Sequence, residues 1–170
     1  MIRKEEKRDF QAVYELVKAA FATTGYSDGS EADRVEKNRK ADFFIPELSL
    51  VAEEAGEIVG YIALHTMEIK YKDRCDTQLE VAPLAVRPDH FKKGIGSALM
   101  EEAHKRALDM GYSCVFLLGN PAYYPRFGYE PTYKHNIFYV NDKTKKAEAC
   151  MVKELKKGYL GFDEAYIDIE

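Results

Sequence analysis

At 170 residues, 46% apolar and 32% charged, the chain has an ordinary soluble composition and is long enough to bury a core as one domain over 1–170. A net charge of −4 argues against a nucleic-acid surface, and no apolar run approaches the ~20 residues of a membrane helix, so neither partner is expected. The start MIRKEEKRDF lacks the apolar core of a signal peptide, and three widely spaced cysteines (Cys75, Cys114, Cys150) suit reduced thiols, so a cytoplasmic location is expected.

In chain order, Ile2–Lys4 reads as a short strand, and Asp9 as the cap of a helix with an apolar face at Phe10, Val13, Tyr14, Val17 and Phe21. Gly25 to Gly29 breaks that helix. Ser30 with Asp33 predicts a capping box for a second, charged helix through Lys40, which has little apolar face and is expected to be a solvated lid element. Ser49–Glu53 and Ile58–Tyr71 read as a hairpin about Ala55-Gly56. The second strand is long and must twist or bulge, with Gly60 the obvious place. Thr77–Val86 and Ser113–Leu118 are strands separated by a helix, a crossover that makes them parallel. Past Pro131, Ile137–Val140 and Glu148–Leu155 read as a closing antiparallel pair, with one more strand at Ala165–Ile169.

The most informative stretch is EVAPLAVRPDHFKKGIGSALMEEAHKRALDM, Glu80 to Met110. An apolar strand breaks at Arg87-Pro88-Asp89 and passes Lys92-Lys93-Gly94-Ile95-Gly96 into a helix with an apolar face at Ile95, Ala98, Leu99, Ala103, Ala107 and Met110. Glycine at 94 and 96 admits a ligand to the backbone, and the first amides of a helix, with the dipole behind them, suit phosphate. Lys92 and Lys93 add charge beside that turn, and Ser97 belongs to it. The motif is neither a P-loop, which needs Gly-Lys-Ser/Thr, nor a dinucleotide fingerprint, since Leu99 stands at the third glycine position. Its plainer reading is a tight strand-to-helix turn. Pro83 removes a donor within the strand, which points to a bulge or an unpaired edge. The loops at Gly94 and at Asn120–Arg126 both start at carboxyl ends of the predicted parallel strands, where ligands sit in such sheets.

Phe91-Lys92-Lys93-Gly94-Ile95-Gly96 resembles the pyrophosphate loop of the GCN5-related N-acetyltransferase (GNAT) family, Gln/Arg-x-x-Gly-x-Gly/Ala, matching both glycines and departing at Phe91. Tyr123-Tyr124-Pro125-Arg126-Phe127-Gly128-Tyr129 resembles the family's Tyr-x-x-x-Gly-Phe segment, and small bacterial members share the Pro-Leu-Ala-Val strand and the Tyr-Tyr-Pro-Arg-Phe-Gly loop. The resemblance implies an α/β (α+β) acyl-CoA N-acyltransferase fold. Its sheet is mixed and mostly antiparallel, with a splayed parallel central pair flanked by helices, a CoA-binding core at 77–131 and closing strands at 137–169. It implies acetyl-CoA as co-substrate and a small-molecule or peptide amine as acceptor. Cofactor contacts would come from Leu84, Ala85 and Val86 for the pantetheine arm, and from Lys92, Lys93, Gly94, Ile95, Gly96 and Ser97 for the diphosphate. Asn120 would serve the pantetheine amides. Arg126 has two readings, a phosphate contact or a salt bridge.

Acetyl transfer needs a neutral amine, a stabilised oxyanion and a proton for the leaving thiolate. Glu80 stands six residues before Val86, where histone-type members carry a strand glutamate that acts as base; the alternative is a solvent-facing glutamate. Tyr124 stands four before Gly128, where the family places its tyrosine acid; the alternative is aromatic packing beside Tyr123. Cys114 lies inside an apolar strand and makes a poor nucleophile. No metal is expected, since neither the cysteines nor the four histidines have ligand spacing. Two other functions fit the same turn, a CoA-binding sensor without turnover and a nucleotide-binding regulator. A homodimer, the commonest soluble assembly, is kept open.

Overall fold

Apolar residues along 44–86 fold into three long strands in the computed structural model of the chain, which describes residues 1–25 and 27–169. The elements are β1 (Ile2–Lys4), α1 (Phe10–Ala22), α2 (Glu31–Asn38), β2 (Phe44–Glu54), β3 (Glu57–Tyr71), β4 (Cys75–Val86) and α3 (Ile95–Asp109). They continue with β5 (Cys114–Leu118), β6 (Glu130–Pro131), β7 (Ile137–Tyr139), β8 (Cys150–Glu154) and β9 (Ala165–Ile167). Two units are distinguishable, Met1–His65 with Ala82–Arg106, and Thr66–Val81 with Ala107–Glu170. Among the described residues no helix is long and apolar enough to cross a membrane.

In the first unit β1 pairs antiparallel with β2, Ile2 opposite Ala52, and β2 pairs antiparallel with β3. Ala52 faces Gly60 but Glu53 faces Ile58, so one extra residue bulges beside the glycine. A Cβ at Gly60 would lie 2.8 Å from both Ile95 Cγ2 and Leu99 Cδ1, so α3 approaches β3 where a side chain is missing. Gly60→Ala is expected to cost about 1–3 kcal/mol through overpacking, read as a lower urea midpoint.

α1 buries Val13, Leu16, Val17 and Ala20 against Val51, Tyr61 and Ala63. Phe10, Tyr14 and Phe21, expected on that face, are only half-buried, so the stripe is rotated toward Leu16 and Ala20. Asp9 does not cap α1: its carboxylate accepts from the Arg3 guanidinium at 2.7 and 2.9 Å and from the Glu6 amide at 2.8 Å. The bound Arg3 holds that carboxyl below its usual range.

The solvated lid expected at 30–40 is corrected. α2 ends at Asn38 and buries Ala32 and Val35 in the same cluster as α1, because two small apolar residues three apart suffice to make a contact face. The expected capping box does not form: Ser30 donates to Asp28, and Asp33 accepts from the Tyr14 hydroxyl at 2.8 Å. Beyond α2, Arg39 enters a buried network. Its guanidinium meets Glu5 at 2.6 Å with the two side chains 8% and 3% exposed, and lies 3.9 Å over the Phe10 ring. Ser49 Oγ donates to Glu5 at 2.9 Å and lies 2.8 Å from the Tyr61 hydroxyl. On α3, Leu99, Met100 and Ala103 are buried; Ala98 and Met110, expected on the apolar face, are exposed.

In the second unit β4 and β5 run parallel, Leu79 opposite Val115 and Glu80 opposite Phe116, as the crossover requires. Just ahead of those pairs a side chain replaces the ladder. Gln78 Oε1 accepts from the Ser113 and Cys114 amides at 2.8 and 3.2 Å, while its Nε2 donates to the Tyr159 hydroxyl at 3.2 Å. Gln78→Leu is expected to cost about 1–3 kcal/mol for each amide left unpaired, read as a lower melting temperature.

The expected antiparallel pairing of the 137–140 and 148–155 strands is also corrected. β8 pairs antiparallel with β5, Phe116 opposite Val152, and also with β6, whereas β7 runs parallel to β9, Ile137 opposite Ala165. The intervening loop is tied to itself, with Asp142 accepting from the Thr144 and Ala147 amides, so it does not make a tight hairpin. β9 in turn pairs with β3, Ile69 opposite Ile167. Met67, Ile69, Phe116, Ile137, Val152 and Ile167 meet in one core cluster.

Candidate active site

Backbone geometry makes the turn before α3 unusual. Lys92 and Gly94 both adopt left-handed conformations, φ 62° and 81°, the first rare for a residue with a side chain. Turns that visit this region present successive amides to one point, an arrangement that holds anions. The Gly94 carbonyl accepts from the Ala98 amide at 3.0 Å, closing the first turn of α3. The amides of Ile95, Gly96 and Ser97 therefore have no carbonyl within the helix to bind. Open space surrounds a Cβ built at Gly94, so glycine is needed there for its φ rather than for room. Lys92 and Lys93 are exposed, and Phe91 beside them is 45% exposed.

The approach to this turn is pinned. The Arg87 guanidinium bonds Glu57 at 3.0 Å and Asp89 at 2.7 Å, and its amide donates to the Val59 carbonyl at 2.9 Å. Arg87, and after it His90, hold the Asp89 carboxyl well below the usual carboxylate range. Upstream, Ala85 is buried with Val51 and Tyr61, while Leu84 and Val86 alternate with it and stay half-buried.

The second unit carries the other candidates. Glu80 is 4% exposed, so it is not the solvent-facing glutamate of the alternative reading. Tyr124 opens a 3-10 turn over Tyr124–Phe127, stopped by Gly128 at φ 92°. Its ring meets Tyr123 edge-on at 5.0 Å, with Tyr129 at 6.0 Å and Phe127 at 6.4 Å. Burial, and then the neighbouring Tyr123, push its phenol up to about 12. Asn120 is exposed; its Oδ1 accepts from the Ala122 amide at 2.9 Å and its carbonyl from the Tyr123 amide at 3.0 Å, so it shapes the loop. Among the described residues Arg126 does not make the salt bridge of its plainer reading. Its Nε donates to the Tyr123 carbonyl at 2.9 Å and its guanidinium lies 4.4 Å over the Tyr123 ring, because the 3-10 turn brings residue 126 back over residue 123.

Cys114 is fully buried and burial pushes its thiol far up, so it offers no thiolate. Among the described residues no group of three His, Cys, Asp or Glu side chains is placed to hold a metal ion. Sequence reasoning did not single out Gly119, where a built Cβ overlaps the Tyr124 ring. Its signal was a glycine directly after the fully apolar run Cys-Val-Phe-Leu-Leu, a place where strands admit a close neighbour.

The chain as a whole is similar to known proteins. A family model described as Acetyltransferase (GNAT) domain matches residues 1–132. The chain is 35% identical over 128 residues to the uncharacterized N-acetyltransferase YjhQ of Escherichia coli K12, an overlap covering 74% of this chain and 67% of that one. The crystal structure of the GNAT family N-acetyltransferase YhbS from E. coli, in complex with CoA, is similar with TM-score 0.83 and 25% identity, over 100% of this chain and 89% of that one. A GNAT family acetyltransferase from Brucella melitensis, in complex with acetyl-CoA, is similar with TM-score 0.78 and 25% identity, over 100% and 95%. A mixed sheet with a parallel strand pair flanked by helices is their common fold. The chain belongs to the GCN5-related N-acetyltransferase family and is, by that membership, an acyltransferase.

Proposed function

We propose that this chain transfers an acetyl group from acetyl-CoA to a primary amine by direct attack in a ternary complex. The observation that carries the reading is the turn at 92–97: a left-handed Lys92 and Gly94 lead into three helix amides with no intrahelical acceptor. Ile95, Gly96 and Ser97 would bind the diphosphate through those amides, with Lys92 and Lys93 adding charge. The backbone of Leu84, Ala85 and Val86 would pair with the pantetheine arm, joined by the Asn120 side chain. Arg126 would need to leave Tyr123 to reach a phosphate.

In the reaction, the amine lone pair attacks the thioester carbon and the carbonyl oxygen takes up negative charge. An amide near Leu84 would stabilise that charge where it develops. The carbon–sulfur bond then breaks, and Tyr124 hands its phenolic proton to the departing thiolate. Glu80, directly or through water, takes the proton that the amine must lose. The acceptor is a small-molecule or peptide amine, and the setting is the cytoplasm.

Thiol release from acetyl-CoA, measured against a broad amine panel, tests the proposal. Turnover on at least one amine supports it. Binding of acetyl-CoA with no turnover on any amine favours the sensor reading, which the apolar Phe91 beside the turn keeps relevant. Equal stabilisation by adenosine diphosphate and by CoA in a thermal shift would favour the nucleotide-binding regulator.

A further inference from the structure

We infer that Gly119 is a positioning residue for Tyr124: with no side chain at 119, the phenol ring seats against the end of β5, and this fixes where its hydroxyl delivers a proton. The inference rests on the proposed reading of Tyr124 as the acid.

Gly119 follows the last residue of β5, and its amide donates to the Ala149 carbonyl at 2.9 Å, which holds the backbone in place. It is not among the glycines with a left-handed backbone, so alanine can adopt its conformation. What glycine supplies here is room. A Cβ at 119 would overlap Tyr124 Cε2, lie 2.9 Å from Cδ2 and lie 3.2 Å from Leu117 Cδ1. The ring has little freedom to retreat. Tyr123 stands edge-on to it, Tyr129 and Phe127 pack beside it, and the Asn120 carbonyl accepts from the Tyr123 amide at the start of the turn.

Restoring an ordinary carbon–carbon separation of about 3.5 Å requires the ring to move by roughly 1 Å. A misplacement of that size costs a reacting group on the order of 10²-fold in rate. Gly119→Ala should therefore lower kcat by about that factor while leaving the KM for acetyl-CoA near its wild-type value.

A structural defect would give a similar kcat loss, so the deciding readout is a double-mutant cycle on thiol release. In a Tyr124→Phe background, Gly119→Ala should cost nothing further, because the proton it misplaces is already gone. The inference is overturned if Gly119→Ala keeps wild-type kcat, or if its loss is the same size with and without the Tyr124 hydroxyl. If Tyr124→Phe alone is fully active, the acid assignment fails and this inference with it. If Tyr124→Phe is crippled while Gly119→Ala is not, only this inference fails. Should Gly119→Ala not fold, the Gly119→Ala/Tyr124→Ala pair decides by its melting curve. Recovery of the fold once the ring is removed supports the contact, and a pair as unfolded as the single variant overturns it.

Discussion

Tyr124→Phe is expected to lower kcat on the order of 10²–10⁴-fold, the usual contribution of a positioned acid. That factor corresponds to about 2.7–5.4 kcal/mol of lost transition-state stabilisation. The substitution keeps the ring that packs among Tyr123, Phe127 and Tyr129 and removes only the hydroxyl, so the melting temperature should change little. Steady-state thiol release with the best amine reads the effect, and it should fall on kcat rather than on the KM for acetyl-CoA. The pH dependence follows from the burial of the ring. A desolvated phenolate is disfavoured, so the neutral form persists until pH rises through about 12. In the role proposed for it, Tyr124 therefore holds its proton at neutral pH and through the mild alkaline range. An alkaline loss of kcat with a midpoint below about 10, the ordinary phenol value, would have to come from another group.

Arg39→Ala is expected to destabilise the protein by about 3–5 kcal/mol, the range for removing one partner of a buried ion pair. The guanidinium meets Glu5 at 2.6 Å, with the Glu5 side chain only 3% exposed. Deleting it leaves that carboxylate buried, with the Ser49 hydroxyl as its remaining donor in the network. The Phe10 ring also loses the cation lying 3.9 Å above it. Glu5→Gln combined with Arg39→Met should recover part of the loss, because no uncompensated charge then remains inside. Urea unfolding of the two variants beside the wild type reads these differences. An Arg39→Ala protein as stable as wild type would mean that the segment following α2 is loosely held, contrary to the packing of Ala32 and Val35.

Local chemistry in the chain foretold the parts of the fold that depend on near neighbours. Gly60 announced the bulge in β3, the crossover logic gave parallel β4 and β5, and Gly94 marked the turn into α3. What stayed hidden depends on partners distant in sequence. The apolar content of α2 is two small residues among charges, and only α1 makes Ala32 and Val35 a contact face. Arg39 and Glu5, 34 residues apart, each read as surface charges until packing buries them together. β7 and β8 look like a hairpin because they are adjacent in sequence, yet each pairs with a strand from elsewhere, β9 and β5. At the candidate site, glycine spacing exposed the turn at 92–97, and the offset from Gly128 singled out Tyr124. The strained backbone of Lys92 is a steric fact that no residue pattern encodes, and the clearance at Gly119 showed in the sequence only as a glycine closing an apolar run.

Isothermal titration of the folded protein with acetyl-CoA tests the central claim most directly, with Gly96→Glu as the paired variant. Saturable binding by the wild-type chain is expected, and its loss when a carboxylate is placed among the amides that would hold the diphosphate. No heat with acetyl-CoA, or binding that Gly96→Glu leaves unchanged, would contradict it.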